Sequence, residues 1–408
     1  MICSKNLLKF TIALIAFVVF IPNISYSQYG APFLNFPPSA RINAMGNAGV
    51  AANIDPTFSF LVNPAHVASD IEKSNINIGI MPSNVNSYSI FDYASYTLNI
   101  GYNFNPDGKS LPLSIGLGYS GNGVDLGEFT LTSSDGKVLG RFCSYESANV
   151  LSVGAFLDYG VRFGLGLSYK SISTKFKEIT STTSFNYNAS AFDIGAICQI
   201  PILNSSIFTS TDNFILDLNL GLSLNNIGNE ISSFGEEVEP LPRTASFGYD
   251  ISAKYIRDFS DVKIKIFTLN FSAELRDYSV DYDSIGIFNY VAPFSHSRPV
   301  ENLLMLNPNH PVVVNYGLYA TIFETFHIAI GQSKSVTYYQ DNFTDNYGYG
   351  ISLDGLMKYL SNKVSGGFAN FITNHLSLGY NYSYSSYNNY VDFSYNTIYL
   401  TFKGLNVF

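Results

Sequence analysis

The sequence predicts an all-β fold, a transmembrane antiparallel β-barrel of about 14 strands closed around an N-terminal hatch or plug. Three observations predict it. Segments along most of the chain alternate apolar residues with small polar ones at period two. Their count is even, and short connections fall on one side while long ones fall on the other. Beyond the leader there is no run of about 18 apolar residues able to cross a bilayer as a helix. Membrane residence then requires a closed sheet, the other way to satisfy every backbone polar group in lipid.

Residues 1–27 read as a secretory signal peptide: Lys5 and Lys9 form the basic end, Ile12 to Ile21 the apolar core, and Ser25-Tyr26-Ser27 a small-x-small cleavage site. The chain carries 22 basic against 31 acidic residues, net −9, and losing the two leader lysines makes it more acidic, which argues against nucleic acid as a partner. Only 13% of residues are charged, while Tyr and Phe supply the aromatic 15% and Trp is absent. Such a composition suits a wall that is apolar outside and small and polar within.

Residues 28–72 form the expected hatch. Its central stretch, Pro38 to Ser69, neither alternates nor carries a sustained helical stripe. Residues 73–408 form the expected outer-membrane barrel, and alternation is clear from its second strand onward. Tyr96, Leu98, Ile100 and Tyr102 oppose Thr97, Asn99 and Gly101; Leu165, Leu167 and Tyr169 oppose Gly164, Gly166 and Ser168; Leu216 to Leu224 oppose Asp217 to Asn225. A solvent-facing sheet prefers Lys and Glu on its wet face, whereas Gly, Ser, Asn and Thr suit a crowded lumen.

Fourteen such segments fall at 74–81, 93–104, 112–121, 149–158, 161–170, 188–199, 214–225, 244–252, 263–276, 312–321, 325–333, 346–353, 375–385 and 395–403. If the first runs outward, the tight turns at Asn105-Pro106-Asp107-Gly108, Asp158-Tyr159-Gly160 and Phe323-Glu324 are periplasmic. The long connections 122–148, 171–187, 226–243 and 277–311 are then external, and periplasmic 354–374 holds a short helix around Leu356 to Leu360. Arg162, Asp193, Asp217, Asp250, Glu274 and Arg276 share parity with the small residues of their strands and are expected to face the lumen, since a basic residue facing midplane lipid costs about 2–4 kcal/mol. By the same parity, Asn219 should accept an arginine better than Leu220. Cys143 and Cys198 fall at opposite ends of this wall and are expected as free thiols.

With hatch and strands assigned, the sequence resembles the PorV/PorQ family of FadL-like outer-membrane barrels. The resemblance rests on Phe33-Leu34-Asn35-Phe36-Pro37-Pro38-Ser39-Ala40-Arg41 with Met45-Gly46, on Asn63-Pro64-Ala65, on Leu224-Asn225-Asn226-Ile227-Gly228 and on Leu241-Pro242-Arg243. It implies a 14-stranded barrel with a hatch. It also implies a role in type IX protein secretion or surface attachment in Bacteroidetes, through contacts with translocon components or secreted cargo. The wider FadL-like family implies the alternative, a channel for a hydrophobic small molecule.

The candidate hatch residues are Arg41, Gly46, Asn63, Pro64 and Ala65, structural or gating. Asn63-Pro64 reads as a helix start, with Asn63 capping and Pro64 at the first position. Arg41 either anchors the hatch to a carboxylate such as Asp217 or Glu274 or is an ordinary solvated arginine. Ile287, Phe288, Tyr290 and Phe294 form an apolar patch in the longest external loop, either a partner surface or packing on the rim. The five histidines lack metal-ligand spacing and no serine sits in a nucleophile motif, so no metal, cofactor or catalysis is expected. The acidic run Glu236-Glu237-Val238-Glu239 reads as a solvated loop.

Overall fold

The structure, a computed structural model, describes residues 30–404 except 72, 83–91, 106–110, 134, 180–183, 207–211, 233–237, 260–261, 283–287, 337–340, 362–366 and 388–390. The leader, Ile287, the Glu236-Glu237 pair and the C-terminal Phe408 lie outside the described residues.

Fourteen antiparallel strands close into one barrel. They are β1 (Ser74–Pro82), β2 (Asp92–Asn103), β3 (Leu113–Thr132), β4 (Val138–Tyr159), β5 (Val161–Glu178), β6 (Ser184–Ser205), β7 (Asp212–Gly228), β8 (Thr244–Phe259), β9 (Val262–Tyr278), β10 (Val313–Ile322), β11 (Phe326–Val336), β12 (Asp341–Ser352), β13 (Leu376–Tyr387) and β14 (Val391–Lys403). Each pairs with its neighbours in sequence, and β14 closes on β1 with Ile76 opposite Phe402 and Ile78 opposite Leu400. Closure leaves no unpaired edge, which lipid would not tolerate.

Inside and outside follow the sequence parity. Ile100, Leu117, Leu151, Leu165, Ile328 and Tyr349 are exposed on the outer wall, while Asn99, Ser120, Ser152, Ser168 and Asn381 are buried on the inner one. An apolar belt around a closed sheet is the surface a bilayer requires, and the wall spans the outer membrane. Among the described residues no helix is long and apolar enough to cross it.

Several strands run further than the alternation indicates. The connection expected at 122–148 is mostly a continuation of β3 and β4 to a turn at 133–137, and β5 and β6 likewise extend toward their external loop. Alternation of apolar with small residues marks only the lipid-crossing portion, whereas the backbone ladder continues into water, where Asp125, Glu128 and Arg141 sit on the strands. On the periplasmic side, the one helix expected within 354–374 is two, α2 (Asp354–Ser361) and α3 (Gly367–His375). The external loop after β7 holds a short ladder of Ile231–Ser232 with Val238–Glu239.

The lumen is filled by the hatch. Gly30 donates to the Pro240 carbonyl at the external end. The chain then descends through a five-residue helix, α1 (Ala40–Ala44), and two 3-10 turns, Ser59–Leu61 and Pro64–Ala68, to reach β1 at the periplasmic end. Phe33, Ile42, Met45, Phe58 and Phe60 are fully buried, in two apolar clusters that each join hatch and wall residues.

The outward wall sets a first test. Leu165 is 67% exposed near the middle of the alternating, lipid-crossing portion of β5, residues 161–170. Leu165→Arg is expected to lower folding stability into lipid vesicles by about 2–4 kcal/mol, read from denaturant midpoints and heat-modifiable gel migration, whereas Leu165→Phe leaves both near wild type.

Candidate functional site

The site is the seam between hatch and wall. Its physical basis is close approach of backbones, which the small inward residues permit. A Cβ at Gly116 would collide with the Val67 carbonyl, and one at Gly166 with the backbone of Pro64 and Ala65. Gly46 stands on the other side of this seam: its φ of +65° favours glycine, and its backbone lies against Gln332 of β11.

Polar groups fasten what the glycines admit. Ser39 caps α1, and Asn43 donates to Ser383 at 3.0 Å and to Ser385 at 2.7 Å on β13. Asn63 caps the Pro64–Ala68 turn by accepting from the Ala65 N–H, with Pro64 at the first position. The Asn63 amide also donates across the seam to the carbonyls of Ala196 at 3.1 Å and Leu222 at 3.3 Å. Asn99 on β2 donates to the Pro56 carbonyl, and Asn103 holds Ile71 at the periplasmic exit.

Arg41 is buried, and neither expectation for it matches the contacts. Its guanidinium donates to the Ile54 carbonyl at 2.5 Å and to Asn381 and Tyr399, both at 3.3 Å, and lies 5.2 Å from the Tyr399 ring centroid and 5.5 Å from that of Tyr319. Asp217 and Glu274 have other partners. A guanidinium's forked donors and flat face let a carbonyl, an amide and two aromatic rings take the place of a counter-ion.

The six lumen charges divide by partner. Glu274 accepts from the N–H groups of Gly49 and Val50, each at 3.0 Å, and pairs with Arg276 at 2.8 Å, so it ties the hatch backbone to β9. Arg162 reaches Asp70 of the hatch at 3.5 Å. Asp193 pairs with Lys170 at 2.9 Å and Asp217 with Lys254 at 2.9 Å. Asp250 accepts from Asn219, Asn270 and Ser272 of the wall. Asn219 faces the lumen, as its parity predicts, and is a buried donor. The sequence reading missed the two lysines. Lys170 shares inward parity with Ser168 and was visible in principle, whereas Lys254 lies beyond the predicted strand end.

The Asn225-Asn226 pair has a definite task. At the β6–β7 register shift Asn226 adopts a φ of +60° and donates its N–H to Asp193 at 2.8 Å. Its side chain accepts from Lys170 at 2.7 Å and donates to the Pro242 carbonyl, while Asn225 donates to Val62 of the hatch at 3.2 Å. The two Asn and the Leu241-Pro242-Arg243 segment thus form one buried polar joint.

Above this joint is a cavity of about 60 Å³. Phe33, Leu34, Phe36 and Pro37 of the hatch and Tyr93 of β2 give it an apolar side, and Asn47, Asn122, Lys170, Asn225, Asn226 and Arg276 give it a polar one. A second space, of about 10 Å³ beside Arg41, is the size of one water. Among the described residues no group of three or more His, Cys, Asp or Glu could hold a metal. Cys143 and Cys198 are free thiols.

The external loop patch folds back on the protein. Arg243 stacks over the Tyr290 ring at 3.7 Å, the Tyr290 hydroxyl accepts from the Leu241 N–H, and Phe288 packs edge-on against Tyr290. Phe294 packs against the wall. His296 fixes the same loop between Asp277 and Asp281, at 2.9 Å and 3.2 Å. Burial alone would lower its pKa, but the Asp277 hydrogen bond and the two carboxylate charges raise it.

No protein-family model matches the chain, and no curated protein sequence does. Solved barrels resemble it in form. The Pseudomonas putida toluene transporter TodX is 8% identical with a TM-score of 0.42, over 90% of this chain and 96% of TodX. The Ralstonia pickettii toluene transporter TbuX is 12% identical with a TM-score of 0.43, over 91% of this chain and 98% of TbuX. The transport unit of the Escherichia coli autotransporter AIDA-I is 10% identical with a TM-score of 0.38, over 91% of this chain and 99% of that one. At such scores no ligand or activity follows from the likeness.

Glu274 offers the sharpest test of the seam. Glu274→Ala orphans two hatch amides, at about 1–3 kcal/mol each. It should lower the unfolding midpoint and speed protease cleavage within 30–72 in vesicle-embedded protein, while Glu274→Gln, which keeps an acceptor, gives a smaller change.

Proposed function

We propose that the chain is a gated outer-membrane conduit for a small hydrophobic or amphipathic molecule. The observation that carries this reading is the cavity at the external end of the hatch, where Phe33, Leu34, Phe36 and Tyr93 meet Lys170, Asn226 and Arg276. A lining that is apolar on the Phe33, Leu34, Phe36 and Tyr93 side and polar on the Asn122, Lys170, Asn226 and Arg276 side suits a molecule with a greasy body and a polar end. Ordinary ligand sites measure about 300–1,000 Å³, so the space of about 60 Å³ has to widen to take such a molecule. Admission requires the Phe33-to-Pro38 segment to yield, and onward passage requires the hatch below it to shift.

A second reading, protein export or surface attachment of the type IX kind, draws on a different observation. The β3–β4 hairpin exposes Phe129, Val138 and Leu139 beyond the lipid-crossing portion, an apolar surface of the kind that a protein partner such as a translocon component or secreted cargo covers. Both readings need contacts alone, with no catalysis or cofactor.

One experiment separates them. Asn43→Cys with Ser383→Cys, in a background where Cys143 and Cys198 are alanine, ties α1 to β13. The channel reading expects uptake of a small aromatic hydrocarbon into cells to fall severalfold when the bond is oxidised and to recover on reduction. Uptake that is unchanged by the tether, together with loss of surface proteins on deletion of the gene, would overturn it in favour of the second reading.

A further inference from the structure

In the connection between β9 and β10, residues 294–306 fold down the outside of the wall. On β9 the outward residues Ala273 and Leu275 are each 1% exposed, and Val314 opposite Leu275 on β10 is fully buried. Leu303 and Phe294 of the loop pack on them, with Phe247, Tyr249 and Tyr316 of the neighbouring strands at the margin. Equivalent outward positions elsewhere on the belt are bare, and so are Ile251 and Leu318, which flank Phe271 immediately below the covered area.

The loop is a built element. Buried Asn302 receives the Arg298 N–H at 2.7 Å and donates to the Asn307 carbonyl and to Asn309, and Asn309 donates to the His296 carbonyl. His296 in turn is held by Asp277 and Asp281. On this rigid strap the helical turn Val300–Leu304 buries Leu303 inward and leaves Val300 59%, Leu304 72% and Met305 68% exposed. Three large apolar side chains on a short turn are costly to leave in water.

We propose that Val300, Leu304 and Met305 enter the external leaflet of the bilayer, so that the strap replaces the bare wall as the membrane-contacting surface over β8, β9 and β10. What assigns lipid as the occupant is continuity: the strap lies on the apolar belt itself, directly above the bare Ile251 and Leu318, and not on the water-facing rim. The adjacent Arg298–Glu301 ion pair, at 3.2 Å and exposed, suits the headgroup level. The strap also thickens the wall beside Arg276, which excludes a sideways exit from the cavity through these three strands.

The absence of tryptophan makes this directly readable. The full chain carrying Leu304→Trp as its single tryptophan, reconstituted in phosphatidylcholine vesicles, should show blue-shifted emission. Dibrominated phosphatidylcholine should quench it severalfold more than a Leu139→Trp control on the β3–β4 hairpin. Emission quenched by aqueous iodide and indifferent to brominated lipid would overturn the proposal. So would shielding from both quenchers that depends on the protein-to-lipid ratio, the signature of a second copy on this face. Met305→Trp repeats the measurement if Leu304→Trp does not assemble, as judged by heat-modifiable migration.

Discussion

Everything in this protein depends on the approach of the hatch backbone to a wall that offers no side chain at the points of contact. Gly116 and Gly166 let the Val67 carbonyl and the Pro64-Ala65 peptide lie directly against β3 and β5. At that distance hydrogen bonds between hatch and wall become available, and the wall supplies them from Asn99, Asn225, Ser383, Ser385 and Glu274. Larger residues would hold the hatch away, strand its polar groups and open a water-filled gap. Native packing density tolerates few such voids, and the core of this molecule is an interface between two parts of one chain.

The barrel was legible in the sequence because lipid imposes a simple rule. An outer face in hydrocarbon must be apolar, an inner face against a plug must be small, and alternation such as Leu165-Gly166-Leu167-Ser168 records both at once. Strand number and the sidedness of the connections follow from that record. Strand ends do not, since beyond the bilayer β3 and β4 remain hydrogen-bonded while the constraint on their side chains lapses. The hatch was recognisable only as a stretch that failed both periodicities. Its route, from Gly30 at the external mouth to Ile71 at the periplasmic end, is set by long-range bonds that no local pattern announces.

Partners in the lumen were harder to foresee than inward parity. The sequence predicts which charges face inward, but pairing depends on where the hatch runs. Glu274 meets backbone amides and Arg41 meets tyrosines because α1 lies against β11 to β14 and the chain after it reaches β9. The Asn225-Asn226 pair stood out in the sequence as part of a resemblance. Its physical meaning, a bulge locked by Asp193 and Lys170 that also grips the hatch, becomes clear only with β5, β6 and β7 side by side.

Glycine-permitted contact between hatch and wall is what seals the lumen. Single-channel conductance of purified protein in planar lipid bilayers tests it most directly, comparing wild type with the double variant Gly116→Val, Gly166→Val. Wild type is expected to be nearly silent and the variant to show sustained openings, with the barrel still heat-modifiable. A variant that assembles and stays as silent as wild type would contradict it.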